Sequence, residues 1–325
     1  MLEPVFDPLT FRTTALNLLG EHPPQFTPIP TNQHALQQNG YQLRRFEFDN
    51  HEGAMVFGYL LVPDGIKFPA PAVLYHHYHG GQYHLGKDEI FLPRVGGQSP
   101  ASALTQAGFI VCVIDAYGFG QRLHQGTFNI PQIGLNGEVN LFKHFLWQGK
   151  NLFGRMLYDD WLAFQYLVSL PEVDASRVGV TGMSLGGTRA TWLSALEERI
   201  ACVVPIAQMT RYRDFAQSKR YDAHSVYYYL PNALNSGMDM EHLVALSAPR
   251  PQLILIGTDD PLSPIEGVRT IRHYAEKVYA DANQSDRFKV VEYAGLGHVY
   301  TGEMLETMVE WLKVWLSHDS TTTKR

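Results

Sequence analysis

Apolar and polar positions alternate along the chain in blocks, and the period of the blocks keeps changing. "YQLRRFEF" and "MVFGYLLVP" follow the two-residue rhythm or form short apolar runs, and both read as early, antiparallel strands. "PAVLYHHY" is apolar at its start, with prolines before it and glycines after it, which marks another strand. In "SPASALTQAG", Ser99 is placed to cap a helix and Gly108 to stop it, just before the apolar run "FIVCVID". From Asn151 to Leu170 the spacing becomes helical, with Phe153, Leu157, Trp161, Phe164 and Val168 on one face, and Pro171 ends the pattern. "RVGVTG" then reads as a short buried strand, "SLGGTRATWLSALEE" as a helix and "IACVVPIA" as a strand. "PQLILIG" and "FKVVEYAG" add two strands around a helix near Pro264 to Ala280, and a closing helix runs from about Thr301 to Leu316.

Strands and helices that alternate this regularly predict an α/β fold with a mostly parallel central sheet and helices on both faces. In such sheets chemistry sits in the loops beyond the carboxyl ends of the strands. The segment from Gln208 to Ser247, rich in Tyr, Asn and Asp, breaks the rhythm and reads as a small cap inserted over the site. The resulting division is an N-terminal extension over 1–50, a catalytic domain over 51–318 with an insertion at 208–247, and a flexible tail over 319–325. No internal repeat is visible.

Composition narrows the class. A chain of 325 residues that is 45% apolar can bury a substantial core. Its net charge of −6 offers no general attraction to nucleic acid or anionic lipid. No apolar run approaches the roughly 18 residues of a membrane span. The start lacks the basic segment and apolar stretch of a secretory signal. Cys112 and Cys202, the only cysteines, both lie in strand-like runs and read as small buried hydrophobes rather than a disulfide or zinc framework. A reducing cytoplasm and no cofactor are the expectations. A homo-oligomer is compatible with the sequence, and nothing in it selects a state.

"VGVTGMSLGG" carries the chemistry. Gly182-Met183-Ser184-Leu185-Gly186 follows a short strand and opens an amphipathic helix, the setting in which a glycine-x-serine-x-glycine turn presents a nucleophile. A side chain at 182 or 186 would collide with the neighbouring strand and helix, so the turn can be tight enough to push the Ser184 hydroxyl clear of the sheet. Such a serine needs a base, and the base needs an orienting carboxylate, in the chain order Ser, acid, His. "TDDPLSP", after a strand, offers Asp259 and Asp260, of which Asp260 is chosen and Asp259 kept in reserve. "YAGLGHVYTGEM", after the last strand, offers His298.

"LYHHYHGGQYHLGKDE" holds His76, His77, His79 and His84 within nine residues, which raises the question of a metal. Successive strand residues point to opposite faces, so His76 and His77 cannot share an ion, and no cysteine or carboxylate pattern completes a site with His77 and His79. The glycines are the working parts instead. The N–H of Leu185 and that of Gly81, with Gln82 as the alternative, are expected to form the oxyanion hole. In "RYDAHSVYYYLPN", Tyr221, Tyr227, Tyr228 and Tyr229 either line a pocket or pack the insertion onto the body, with Tyr227 and Tyr229 the chosen substrate contacts on the first reading. Arg155 and Asp160 are a candidate ion pair near the turn.

With these motifs in hand, the chain resembles the α/β-hydrolase superfamily over roughly Met55 to Leu316, and within it the dienelactone hydrolase and acetyl xylan esterase-like branch. "LPEVDASRVGVTGMSLGG" is similar to that branch's approach to the serine, "MDMEHLVALSAPRPQLILIGTDDPLSP" to its segment leading to the acid, and "GLGHVY" to its histidine loop. The resemblance implies Ser184 as nucleophile, Asp260 as acid, His298 as base and His79-Gly80-Gly81 as the oxyanion loop. Dienelactone hydrolases proper use a cysteine nucleophile, and this chain has serine at 184. The loop Ala116 to Lys150 and the segment at 208–247 are this chain's own version of the specificity-determining regions. The expected activity is hydrolysis of small carboxylic esters, with short acyl chains preferred. A prolyl-oligopeptidase-like peptidase and a non-catalytic binder on the same fold are the alternatives.

Overall fold

The computed structural model describes residues 6–125 and 134–317, apart from the side chains at 32 and 33. In chain order its elements are α1 (Pro8–Leu19), β1 (Thr31–Gln38), β2 (Tyr41–Asp49), β3 (Met55–Pro63), β4 (Ala70–His76), α2 (Pro100–Gln106), β5 (Ile110–Ile114), α3 (Leu135–Trp147) and α4 (Leu152–Ser169). The second half supplies β6 (Val173–Met183), α5 (Leu185–Leu196), β7 (Cys202–Ile206), α6 (Tyr212–Ser218), α7 (Met240–Ala245), β8 (Gln252–Gly257), α8 (Ile265–Asp281), β9 (Phe288–Tyr293) and α9 (Gly302–Leu316).

These strands form one sheet in the order β1-β2-β3-β5-β4-β6-β7-β8-β9. The pairs from β1 to β5 are antiparallel, and those from β5 through β4 to β9 are parallel. Each side of the sheet is buried, and alternate residues of a central strand serve opposite sides. Ala72 and Leu74 of β4 join the side covered by α4, α5 and α8, while Val73 and Tyr75 join the side covered by α2 and α9. That two-sided burial is why β4 reads as a continuous apolar run rather than an alternating one.

The cap and stop expected from the sequence at α2 are in place, and α4 carries a side-chain cap as well. Ser99 Oγ accepts the Ser102 N–H at the start of α2, Gly108 follows that helix at φ 85°, and the Asn151 side chain accepts the Gly154 N–H at the start of α4.

Three expectations need correction. The described part of the 1–50 segment is not a separable extension, because β1 and β2 are strands of the central sheet and α1 carries buried Phe11, Ala15 and Leu19 into the core around α4 and α5. The region Ala116 to Lys150 is not only loop, since its second half is α3, with Glu138, Leu141 and Phe145 on the buried side. Arg155 does not pair with Asp160. It pairs with Glu21 at 2.7 Å, while Asp160 receives both arms of Arg189, at 2.8 and 2.5 Å, which ties α4 to α5 behind the serine turn. The tail at 319–325 lies outside the described residues.

Candidate active site

Ser184 sits between β6 and α5 at φ 57° and ψ −119°. A residue with a side chain holds that left-handed conformation only where its surroundings impose it. Here the constraint is steric. A Cβ on Gly182 would lie 2.3 Å from the His76 carbonyl oxygen, and one on Gly186 would lie 2.0 Å from the same atom. Two glycines therefore let the turn pass hard against the end of β4, and the serine between them is lifted off the sheet.

His298, in the loop after β9, brings its Nε2 to 3.0 Å from Ser184 Oγ. Its Nδ1 lies 2.8 Å from Asp260 Oδ2, in the loop after β8. Asp260 is buried, and its other oxygen accepts the Leu262 N–H at 2.9 Å. Asp259 is exposed instead and accepts the Thr258 hydroxyl at 2.9 Å, so only Asp260 reaches the imidazole. An ionised carboxylate can only accept, which places the proton on Nδ1 and leaves the Nε2 lone pair for the serine hydroxyl.

The insertion is bound into this arrangement. His224 Nε2 donates to the Leu262 carbonyl at 2.8 Å, and its ring stacks on Tyr228 with centroids 4.0 Å apart. Burial first, helped by the nearby His298, pushes the His224 pKa down to about 4, so the ring is neutral at physiological pH.

The four clustered histidines do four different things. His76 is buried behind the turn with Nδ1 3.3 Å from Asp160. His77 donates from Nδ1 to the Tyr78 carbonyl at 2.8 Å and accepts the Ala116 N–H at Nε2, at 3.0 Å. His79 lies 3.1 Å from Glu138 through Nε2, and His84 is exposed beside a separate cavity. Among the described residues no three His, Cys, Asp or Glu side chains converge as metal ligands would.

The oxyanion loop differs from expectation. Gly81 donates its N–H to His79 Nδ1 at 3.0 Å, and Gln82 donates to the His79 carbonyl at 3.0 Å, so neither is free for a substrate oxygen. The N–H groups of His79 and Gly80 have no acceptor among the described residues. Leu185 is the first residue of α5, where an N–H has no helical acceptor to reach.

A cavity of about 640 Å³ opens over Ser184, lined by His79, Tyr83, His224, Ser225, Tyr227 and His298 among others. Tyr227 belongs to it and Tyr229 does not. Tyr229 lines a separate apolar pocket with Tyr221, Tyr228 and Phe215, and its hydroxyl donates to the Tyr221 carbonyl at 2.6 Å. Consecutive residues of a turn face different ways, which a sequence rich in tyrosine does not reveal. His224 and Glu138 went unnoticed in the sequence. For Glu138 a signal existed, because it occupies an inward position at helical spacing from Leu141 and Phe145.

Known proteins resemble this chain in sequence and in fold. A family model described as acetyl xylan esterase (AXE1) matches residues 7–236. The Bacillus subtilis protein named "Putative hydrolase YtaP" is 33% identical over 94% of this chain and 98% of its own length. The solved glucuronoyl esterase from Solibacter usitatus superposes with a TM-score of 0.66 at 16% identity, over 94% of this chain and 92% of that one. Acetyl xylan esterase 1 from a Thermoanaerobacterium species superposes at 0.63 and 18% identity, over 96% and 94%. These two solved structures share the α/β-hydrolase fold with this chain. With the family match over most of its length, the chain belongs to the acetyl xylan esterase family and is a carboxylic ester hydrolase.

Proposed function

We propose that the chain hydrolyses short-acyl esters, acetyl esters of carbohydrates foremost, through an acyl-enzyme on Ser184. The observation that carries this reading is the contact of 3.0 Å between Ser184 Oγ and His298 Nε2 on a turn that holds the serine in a strained conformation. His298 takes the hydroxyl proton as Ser184 attacks the ester carbonyl. Asp260 keeps the ring in the required tautomer and supports the imidazolium that forms. The Leu185 N–H and a donor from the His79-Gly80 turn face the developing oxyanion, and loss of one such donor costs on the order of 100-fold or more in comparable sites. His298 then returns the proton to the leaving alcohol, and a water molecule activated by the same base releases the acid.

The acyl preference is supported by the cavity, whose lining among the described residues is histidine, tyrosine, serine, glycine, Asp222 and Ala223, with Leu135 and Leu262 as its larger aliphatic side chains. The carbohydrate part rests on the relatives, whose names specify acetyl xylan and glucuronoyl esters. A Ser184→Ala protein is expected to stay folded and to lose turnover of p-nitrophenyl acetate, and a panel of acetylated sugars should contain better substrates than esters of ten carbons or more. Undiminished turnover by the alanine variant would overturn the reading.

A further inference from the structure

Glu138 is a buried carboxylate for which ester hydrolysis, as derived above, has no task. It projects from α3 toward the site and is 3% exposed. Its Oε2 accepts from three donors on two other segments: His79 Nε2 at 3.1 Å, the Tyr83 hydroxyl at 2.6 Å and the Ser225 hydroxyl at 2.5 Å. His79 and Tyr83 belong to the loop after β4, Ser225 belongs to the insertion, and all three line the cavity over Ser184.

No lysine or arginine pairs with Glu138 among the described residues. Burial alone would raise its pKa, yet the bonds from His79, Ser225 and Tyr83 outweigh burial and hold it below the ordinary carboxylate value. The group is thus ionised at neutral pH and held by charge-assisted bonds, which are shorter and stronger than neutral ones.

The bond to His79 has a consequence two residues further on. With its proton on Nε2 facing Glu138, the ring keeps a lone pair on Nδ1, and that lone pair accepts the Gly81 N–H at 3.0 Å. Tyr83, Phe119 and Tyr227 surround the ring with centroids 4.9, 5.1 and 5.7 Å away, so it has little freedom to turn. A carboxylate on α3 thereby reaches the backbone of the oxyanion loop through two hydrogen bonds and one rigid ring.

We infer that Glu138 is a positioning residue for acyl transfer: acting through His79, it holds the 79–81 turn so that the unbonded N–H groups at its start face the Ser184 cavity. This inference rests on the serine esterase reading above. A carboxylate that merely anchored α3 would affect folding and leave the chemical step alone.

The test measures kcat, KM and thermal unfolding with p-nitrophenyl acetate for wild type, Glu138→Ala, Glu138→Gln, His79→Ala and the double alanine variant. Glu138→Ala is expected to lower kcat about 10- to 100-fold, up to the loss of one oxyanion donor, with KM nearly unchanged. Glutamine keeps an acceptor oxygen for His79 and should recover most of that loss. The double variant should match His79→Ala alone, because both changes break one relay. A kcat for Glu138→Ala near wild type, an effect confined to KM, or losses that multiply in the double variant would each overturn the inference. If alanine at 138 prevents folding, His79→Ala decides: a tenfold or greater fall in kcat supports the relay and an unchanged kcat refutes it. A wild type that neither turns over ester nor labels at Ser184 with a fluorophosphonate overturns the esterase reading and the inference with it. An active wild type with an unaffected Glu138→Ala overturns the inference alone.

Discussion

Replacing Asp260 by asparagine changes no shape and little volume, yet it should nearly abolish turnover, and the surroundings of the carboxylate say why. Asp260 accepts at both oxygens, from His298 Nδ1 at 2.8 Å and from the Leu262 N–H at 2.9 Å. An asparagine has one acceptor and one donor end to share between these partners. If its oxygen stays on the Leu262 N–H, its amide hydrogens face Nδ1, which must then accept, and the imidazole proton moves to Nε2 where it can no longer receive one from Ser184. If the side chain flips, two donors face each other in a buried site, at a cost of about 1–3 kcal/mol. The main-chain donor therefore selects the unproductive tautomer, and the imidazolium also loses its counter-charge. Together these effects should reduce kcat by about 10³- to 10⁴-fold, equivalent to about 4–5.5 kcal/mol on the barrier. The measurement is the steady-state rate with p-nitrophenyl acetate from pH 6 to 9, with Asp259→Asn as the control expected to stay within a factor of about three of wild type. A rate for Asp260→Asn within tenfold of wild type, or an equal loss in the control, would refute the reasoning.

Four further outcomes follow from the same geometry. Gly186→Ala places a Cβ 2.0 Å from the His76 carbonyl oxygen, a main-chain atom that cannot swing aside, and should cost about 1–3 kcal/mol by thermal unfolding together with most of the activity. Arg189→Met leaves Asp160 buried without its bidentate partner and should cost about 3–5 kcal/mol in a denaturant titration. In the native protein burial would raise the Asp160 pKa, but Arg189 and His76 override it and hold the group at about 2, below its unfolded value. Its contribution is therefore present above the unfolded carboxylate's pKa, about pH 4, and fades as pH falls toward 2, which acid-unfolding curves of wild type and Asp160→Asn should separate. Tyr227→Ala should raise KM several-fold, whereas Tyr229→Ala, in the neighbouring pocket, should leave kcat/KM within a factor of about two.

Most of the sheet was legible because its central strands are buried on both faces and bounded by glycine and proline, as around β4 and β6. The meeting of Ser184, His298 and Asp260 was legible for a related reason, since the fold dictates where loops after successive strands must meet. What stayed hidden lay where burial leaves no pattern. β1, "TNQHALQQ", is an exposed edge strand with no apolar alternation to read, so the first fifty residues looked detached. Arg155 finds Glu21 across 134 positions, a partner that spacing cannot nominate. Gly81 looked available as a donor because its engagement depends on a side-chain nitrogen of His79, and tautomers are not written in a sequence.

The bond from His224 to the Leu262 carbonyl means that the insertion does more than roof the cavity, for it also grips the segment that carries the acid. Transplanting this loop from a cousin to alter substrate choice would disturb proton transfer as well, unless an equivalent donor came with the graft. Selectivity and turnover in this enzyme are consequently not independent dials for an engineer, since the roof and the segment below it share a hydrogen bond.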